Sequence, residues 1–234
     1  MKLTKICDGL DFPEGPIAMA DGSVILVEIR RQTLSRVHPD GQIDVIADLG
    51  GGPNGAAVGP DGMIYVCNNG GFMWTQGDGI TRPIGTPDDY VSGSIQRVDP
   101  NTGAFQTIYD SCDGQPLRGP NDIVFDAHGG FYFTDLGKST ADYVHHGAFY
   151  YAKADGSEIR RVHAPMITPN GIGLSPDGKT VHVAETRTSR VWSFDLIGPG
   201  EIAPLPFDMP GRLVATLPEY QLLDSLAVQA DGHI

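Results

Sequence analysis

A fixed seven-residue spacing recurs five times along this chain and constrains its fold more than any other feature. In each copy, a side chain that carries an oxygen atom opens a short apolar run, and seven residues later the run reaches a glycine-containing turn. A constant register of this kind indicates an internal structural repeat. We call the five residues that open the runs the anchor residues. With their turns they are Glu14 with Asp21-Gly22, Asn54 with Asp61-Gly62, Asn121 with His128-Gly129, Asn170 with Asp177-Gly178, and Asp224 with Asp231-Gly232.

Each copy contains short apolar runs joined by tight turns, as in a four-stranded antiparallel unit. The second copy, for example, has the runs AAVGP, MIYVCN, SIQRVDP and FQTIYD. Successive anchors are 40 to 67 residues apart, and 31 Gly and 18 Pro in 234 residues suit many turns better than long helices. We therefore predict one all-β domain over residues 1–234, a β-propeller whose blades begin near residues 14, 54, 121, 170 and 224.

Propeller topology brings the anchor residues together. The first strand of every blade lines the central channel, so residues at the start of these strands form a ring at one mouth of that channel. The second strand runs antiparallel to the first and ends at the same mouth. The sequence therefore predicts a second polar ring there, made of Glu28, Asn68, Asp135 and Glu185.

Two long connections are expected to lie over this mouth, because each follows the second strand of its blade. The connection Gly70–Ser92 carries Trp74 and Arg82, and Gly137–His146 carries Lys138. Long loops over one face of a scaffold often bind ligands, so we predict that Trp74 and Arg82 contact substrate. Arg82 or Lys138 could hold a carboxylate or a hydroxyl-rich group, and a solvated surface position explains either charge equally well.

The anchor side chains offer only oxygen atoms to a ligand. Such a donor set suits a hard divalent cation, Ca²⁺ first, with Mg²⁺ or Mn²⁺ as alternatives. Zn²⁺ is less favoured, because zinc sites normally recruit His or Cys. The alternative for the asparagines is that they satisfy main-chain groups in turns, a role that Glu14 is less suited to fill.

Charge and cysteine content exclude several classes of protein. The net charge of -13 and the lack of a basic run argue against binding of nucleic acid. The three cysteines form no C-x-x-C pair, which argues against a disulfide framework and a zinc-thiolate site. The chain has no apolar run of the length that a membrane helix needs, so we expect no membrane partner and a cytoplasmic location. The oligomeric state is left open.

Four motifs carry a resemblance to a known family. They are FPEGP at 12–16, GPNDIVFDAHGGFYFTD at 119–135, TPNGIGLSPDG at 168–178 and DSLAVQADG at 224–232. With these motifs in this order, the chain resembles the gluconolactonase, senescence-marker-protein and luciferin-regenerating family. The second motif is highly specific, and the four together extend over nearly the whole chain.

The resemblance implies a six-bladed propeller that holds one catalytic divalent cation, generally calcium. Carried over by motif, the metal ligands of the family fall on Glu14, Asn170 and Asp224, with Asn121 as a fourth ligand or a substrate contact. Asn54 does not correspond to a usual ligand, so we expect it to touch substrate or a bound water. A six-bladed relative needs further strands after residue 232, so we expect this chain to be truncated within its fifth blade.

The leading functional prediction is hydrolysis of a sugar lactone or a similar small lactone. A carboxylate must accept the proton of the attacking water, and Asp224 is the first candidate, with Asp122 as the second. The other reading of Asp122 is that it supports the cation without touching it. Two further functions stay open, which are phosphotriester or aryl-ester hydrolysis on the same site and a non-catalytic binding scaffold.

Overall fold

Four copies of the repeat fold into successive antiparallel sheets in the computed structural model. The structure describes residues 3–140 and 142–234, except for the side chain of Asp208. Sheet 1 consists of β1 (Pro13–Ala18), β2 (Val24–Glu28), β3 (Thr33–Val37) and β4 (Ile43–Asp48). Sheet 2 begins with β5 (Pro53–Val58) and β6 (Ile64–Asn68). The chain then forms a separate hairpin of β7 (Met73–Gly77) and β8 (Ile80–Gly85), and completes sheet 2 with β9 (Ser94–Val98) and β10 (Phe105–Tyr109).

A two-stranded ribbon of β11 (Ser111–Cys112) and β12 (Gln115–Pro116) leads into sheet 3. Sheet 3 consists of β13 (Pro120–Phe125), β14 (Gly130–Asp135), β15 (Gly147–Lys153) and β16 (Ile159–Met166). Sheet 4 consists of β17 (Pro169–Leu174), β18 (Thr180–Glu185), β19 (Arg190–Gly198), the short β20 (Glu201–Ile202) and β21 (Arg212–Thr216). Only a 3-10 turn at Pro206–Asp208 is helical in the described part of the chain, and no helix there has the length and apolar character of a membrane span.

The first strands of the four sheets pack side by side in chain order. β1 contacts β5, β5 contacts β13, and β13 contacts β17. The prediction of an all-β architecture is confirmed, and the first strands lie next to one another in chain order. Within the described residues no sheet closes on itself, and the number of six blades and the truncation stay predictions.

Three apolar clusters fill the spaces between successive sheets, because the second strands are buried on both faces. Along β6, Ile64 and Val66 point to the cluster shared with sheet 1, whereas Tyr65 and Cys67 point to the cluster shared with sheet 3. The same alternation on β14 sends Phe133 towards sheet 2 and Tyr132 towards sheet 4. Side chains that alternate across a strand thus tie each sheet to both neighbours.

The fifth copy differs from the predicted blade. Residues 217–234 contain no strand, because the run after Asp224 has no antiparallel partner among the described residues. It nevertheless lies along β17, where the N–H of Gly171 donates to the carbonyl of Asp224 at 3.1 Å. The repeated turn also forms, since Gly232 donates to the carbonyl of Gln229 at 2.9 Å. The anchor Asp224 is therefore placed beside sheet 4 without a sheet of its own.

Candidate active site

A proline and a bulge set the position of each anchor residue in the four sheets. The residue before the anchor is always a proline, and it pairs with the last residue of the second strand. The pairs are Pro13 with Glu28, Pro53 with Asn68, Pro120 with Asp135, and Pro169 with Glu185. The register shifts directly after this pair in sheets 2, 3 and 4, and one residue later, after Glu14 pairs with Val27, in sheet 1. A bulge re-aims the side chains beside it, and in all four sheets the anchor lies next to one, at the edge here called the anchored edge.

Glycines allow the anchor segments to approach one another closely. Glycine follows the anchors Glu14, Asn54 and Asn170 directly. A Cβ atom in its place would strike the next anchor segment: at Gly15 the carbonyl oxygen of Asn54 at 2.9 Å, at Gly55 the carbonyl of Asn121, and at Gly171 the carbonyl of Asp224 at 2.7 Å. The first and second anchors, the second and third, and the fourth and fifth therefore lie side by side, and the complete ring stays a prediction.

Asp122 occupies the position that glycine holds in those copies, and it links sheet 3 to sheet 4 by hydrogen bonds. Its Oδ2 accepts the N–H of Ile172 at 3.1 Å, and its Oδ1 accepts the N–H of Ile123 at 2.9 Å. The hydroxyl of Thr134 accepts the N–H of Asp122 at 3.2 Å and donates to the carbonyl of Asn170 at 2.5 Å. The third and fourth anchors are therefore fixed to each other through Asp122 and Thr134.

Three carboxyl groups influence one another at this edge. Burial, together with the negative charges of Asp224 and Asp122, raises the pKa of Glu14 to about 7. Burial also raises the pKa of Asp122 to about 6, against the two main-chain donors that stabilise its ionised form. No salt bridge in the described part of the chain joins any of the three to a basic side chain. A bound cation would supply the missing positive charge.

Two of the amide anchors, Asn121 and Asn170, have side-chain oxygen atoms that could bind a ligand. Asn170 is buried and donates from Nδ2 to the hydroxyl of Thr186 at 3.2 Å, and within residues 3–140 and 142–234 its Oδ1 has no partner. Asn121 is equally buried, and no hydrogen bond among the described residues involves its side chain. No cluster of three or more His, Cys, Asp or Glu in the described ranges could hold a metal. The predicted ligand set has two carboxylates and two amides, and this all-oxygen set fits a hard cation such as Ca²⁺.

The residues of the second polar ring support the anchors, because their oxygen atoms already accept hydrogen bonds within the protein. Each member is buried and accepts a main-chain N–H from the segment just before an anchor. Glu28 accepts from Asp11 at 2.6 Å, Asn68 from Gly52 at 2.8 Å, Asp135 from Gly119 at 2.7 Å and Glu185 from Ile167 at 2.6 Å. These bonds hold the entry to each first strand in place.

The connection Gly70–Ser92, here called the roof segment, lies over the anchored edge. The ring of Trp74 packs against Phe12 with centroids 4.8 Å apart, and Phe12 precedes Glu14 by two residues. On the other side, Thr86 donates to the carbonyl of Ser139 at 2.9 Å. Trp74 thus packs on a residue two positions before the first anchor, and its contact with substrate stays a prediction.

Two basic residues of the connections lie in different surroundings. Arg82 is exposed on β8, opposite Thr75, and its contact with substrate stays a prediction. Lys138 is buried, donates to the carbonyl of Gly71 at 2.7 Å, and has its Nζ 4.4 Å from the ring centre of Phe72. Lys138 therefore joins the two connections, a role that the sequence analysis did not predict.

Comparison with known proteins gives consistent results along almost the whole chain. The family model described as SMP-30/Gluconolactonase/LRE-like region matches residues 12–234. A gluconolactonase from Zymomonas mobilis is 25% identical over an alignment of 214 residues, and the match covers 82% of this chain and 54% of that protein. Lactonase drp35 from Staphylococcus saprophyticus is 29% identical over an alignment of 224 residues, and the match covers 94% of this chain and 61% of the relative. The chain thus spans less than two thirds of the length of both relatives.

Solved structures share the arrangement of sheets. A gluconolactonase from Xanthomonas campestris superposes with a TM-score of 0.72 at 23% identity, over 96% of this chain and 69% of that one. Regucalcin from Agrobacterium tumefaciens, a calcium-binding protein, gives a TM-score of 0.61 at 18% identity, over 84% of this chain and 58% of that one. At these identities the likeness shows the fold alone, an all-β, propeller-like arrangement.

Proposed function

The chain belongs to the SMP-30/gluconolactonase/LRE-like family, and on that premise we propose that it hydrolyses a sugar lactone or a similar small lactone at the anchored edge. The observation that carries this proposal is the group of three carboxyl groups without basic partners beside the free amide oxygens of Asn121 and Asn170. The gluconolactonase and drp35 relatives support the choice of a lactone over other esters.

Glu14, Asn121, Asn170 and Asp224 would hold one divalent cation, with Ca²⁺ as the first choice. When bound, such a cation acts as a Lewis acid that polarises a carbonyl group and stabilises negative charge on its oxygen. Asn54 lies beside Asn121 and would contact the substrate, and the Trp74 side of the roof segment would limit access of bulk water.

We assign Asp224 as the general base. Its side chain is exposed and has no hydrogen-bond partner among the described residues, so one oxygen can hold the cation while the other faces a water molecule. Both oxygens of Asp122, in contrast, already accept main-chain N–H groups. The attacking water would give its proton to Asp224 as it adds to the carbonyl carbon. The ring oxygen would then take up a proton as the ester bond breaks, which gives the open hydroxy acid.

The proposal is tested with lactones, an aryl ester and a phosphotriester, each measured with Ca²⁺ and after chelation. Asp224→Ala should reduce lactone hydrolysis at least about 100-fold and weaken Ca²⁺ binding in calorimetry. Asp231→Ala is the matched control, because this exposed aspartate lies in the turn at the other end of the same run. Lactone hydrolysis by chelated Asp224→Ala would overturn the scheme. Faster turnover of the phosphotriester or aryl ester would reassign the reaction, and no turnover at all would indicate a binding scaffold.

A further inference from the structure

A pocket of about 150 Å³ opens between sheets 3 and 4, beside the anchor Asn170. Residues 136–139, which follow β14, form one wall together with His145 from the end of the same connection. Thr186 and Arg187, which follow β18, form the opposite wall. Because Asn170 lines both this pocket and the predicted cation site, a substrate at the anchored edge could extend into it.

The pocket has a charge opposite to that of the protein as a whole. Its ionisable lining residues in the described part of the chain are Lys138, His145 and Arg187, with no Asp or Glu among them. The chain itself has 29 acidic and 16 basic residues, so a wall with only basic ionisable groups is unusual for it. Arg187 is exposed and forms no salt bridge in the described part of the structure. These groups together favour an anionic occupant.

Polar atoms in the pocket lack partners that an anion would provide. Nδ1 of His145 is buried and has no hydrogen-bond partner among residues 3–140 and 142–234. The loop that carries it is fixed, since the N–H of His145 donates to the carbonyl of Lys138 at 2.8 Å. The hydroxyl of Thr186 accepts from Asn170, so its own hydrogen is available for a further acceptor. An unpartnered buried polar atom is unfavourable; when Nδ1 carries the imidazole hydrogen, it can donate to an oxygen of a bound anion once the ring turns towards the pocket.

We infer that this pocket is a subsite for an acidic substituent of the substrate, a carboxylate or a phosphate, held by Arg187 and His145. The preferred substrates are then lactones that carry an acidic group, and neutral lactones are poorer ones. Lys138 adds positive charge to the wall, although its Nζ already donates to Gly71. This inference rests on the proposed lactone hydrolysis.

Two matched pairs of lactones test the subsite. The phosphate pair is glucono-δ-lactone and its phosphorylated form, and the carboxylate pair is γ-hydroxymethyl-γ-butyrolactone and γ-carboxy-γ-butyrolactone. In at least one pair, we expect kcat/KM of the acidic member to exceed that of the neutral member about tenfold or more. Arg187→Gln should lower this ratio about tenfold. Arg190→Gln, which removes an arginine outside the pocket, should leave the ratio as it is.

A second variant separates the contribution of the imidazole from that of the arginine. His145→Phe keeps an aromatic ring against Tyr143, whose ring centre is 4.8 Å from that of His145, and removes the free Nδ1. We expect it to lower the same ratio. Equal kcat/KM within both pairs, with no response of the ratio to either variant, would overturn the subsite and leave lactone hydrolysis standing.

Binding measured without turnover keeps the two proposals distinguishable. If the chain hydrolyses no lactone, the proposed function fails, and calorimetry with sorbitol and sorbitol phosphate still tests the pocket. Sorbitol phosphate should bind about tenfold more tightly than sorbitol, and Arg187→Gln should remove the difference. Equal affinities for the two polyols would overturn the subsite on its own.

Discussion

The main-chain N–H of Ile172 donates a hydrogen bond of 3.1 Å to Oδ2 of Asp122, and this bond joins the first strands of sheets 3 and 4. In the first, second and fourth copies, where glycine follows the anchor, the neighbouring segment approaches by close contact of main chains. At Asp122 a carboxylate takes the place of that contact. It also accepts the N–H of Ile123, so one side chain satisfies two donors beside the bulge.

Replacement of Asp122 should therefore affect stability as well as activity. Asp122→Ala leaves two main-chain donors without their acceptor, and we expect the free energy of unfolding to fall by about 1 to 3 kcal/mol. Asp122→Asn should have a smaller effect, because the amide oxygen can still accept one of the two bonds. Denaturant unfolding measures both variants against Asp88→Ala, an exposed aspartate of the roof segment. An Asp122→Ala variant as stable as this control would contradict a stabilising role of the Asp122 hydrogen bonds between sheets 3 and 4.

The repeated spacing predicts those parts of the fold that depend on local sequence pattern. The register of Glu14, Asn54, Asn121 and Asn170 with their turns gives the four first strands and their common edge, because strand alternation and turn chemistry are local properties. The pattern of proline before the anchor and glycine after it is also present in the sequence. It would have pointed to the close contacts between anchor segments.

Other features depend on contacts between distant residues, which no spacing reveals. The hairpin of β7 and β8 forms within a connection that reads only as a long loop, and β21 returns to β19 after an irregular stretch. Glu185 reads as a second-ring donor, yet it accepts from Ile167 at 2.6 Å and from the indole of Trp192 at 2.9 Å. Such partners follow from the packing of sheet ends, and the sequence gives no separate signal for them.

Close approach at Gly171 should be necessary for the position of Asp224. In Gly171→Ala the new methyl group would meet the main chain of residues 224–226, which must move away from β17. We expect calcium affinity to fall about tenfold or more, because an anchor leaves its place in the ligand set. Gly77→Ala is the control, since a Cβ there meets no atom within 4 Å. Unchanged calcium affinity in Gly171→Ala, measured by calorimetry, would argue against Asp224 as a ligand.

Asp135 should contribute to the stability of the folded protein. It is 2% exposed and accepts the N–H groups of Arg118 at 2.7 Å, Gly119 at 2.7 Å and Gly137 at 2.9 Å. Asp135→Ala leaves three donors unsatisfied, so the free energy of unfolding should fall by about 3 kcal/mol or more. Asp135→Asn keeps one acceptor oxygen and should lose less. A stable Asp135→Ala protein in thermal or denaturant unfolding would show that these donors find other acceptors.

Lys138 should give the protein a stability that depends on pH in the alkaline range. Burial lowers its pKa from 10.5 to about 8, although the nearby charge of Asp135 opposes the change. Between these two values the unfolded chain binds more protons than the folded chain, so the free energy of unfolding rises with pH. Relative to Lys138→Met, the wild-type protein should gain up to about 3 kcal/mol as the pH rises from about 8 to about 10.5.

The measurement is the difference in unfolding free energy between wild type and Lys138→Met at several pH values. Taking the difference removes the contribution of other groups that titrate in the same range. Lys5→Met, at a lysine whose side chain is 73% exposed, is the matched control and should show no such trend. Because Lys138 joins Gly71 of the roof segment to sheet 3, Lys138→Met should also expose the roof segment to proteolysis. A difference that is flat with pH would mean that Lys138 stays solvated when the protein is folded.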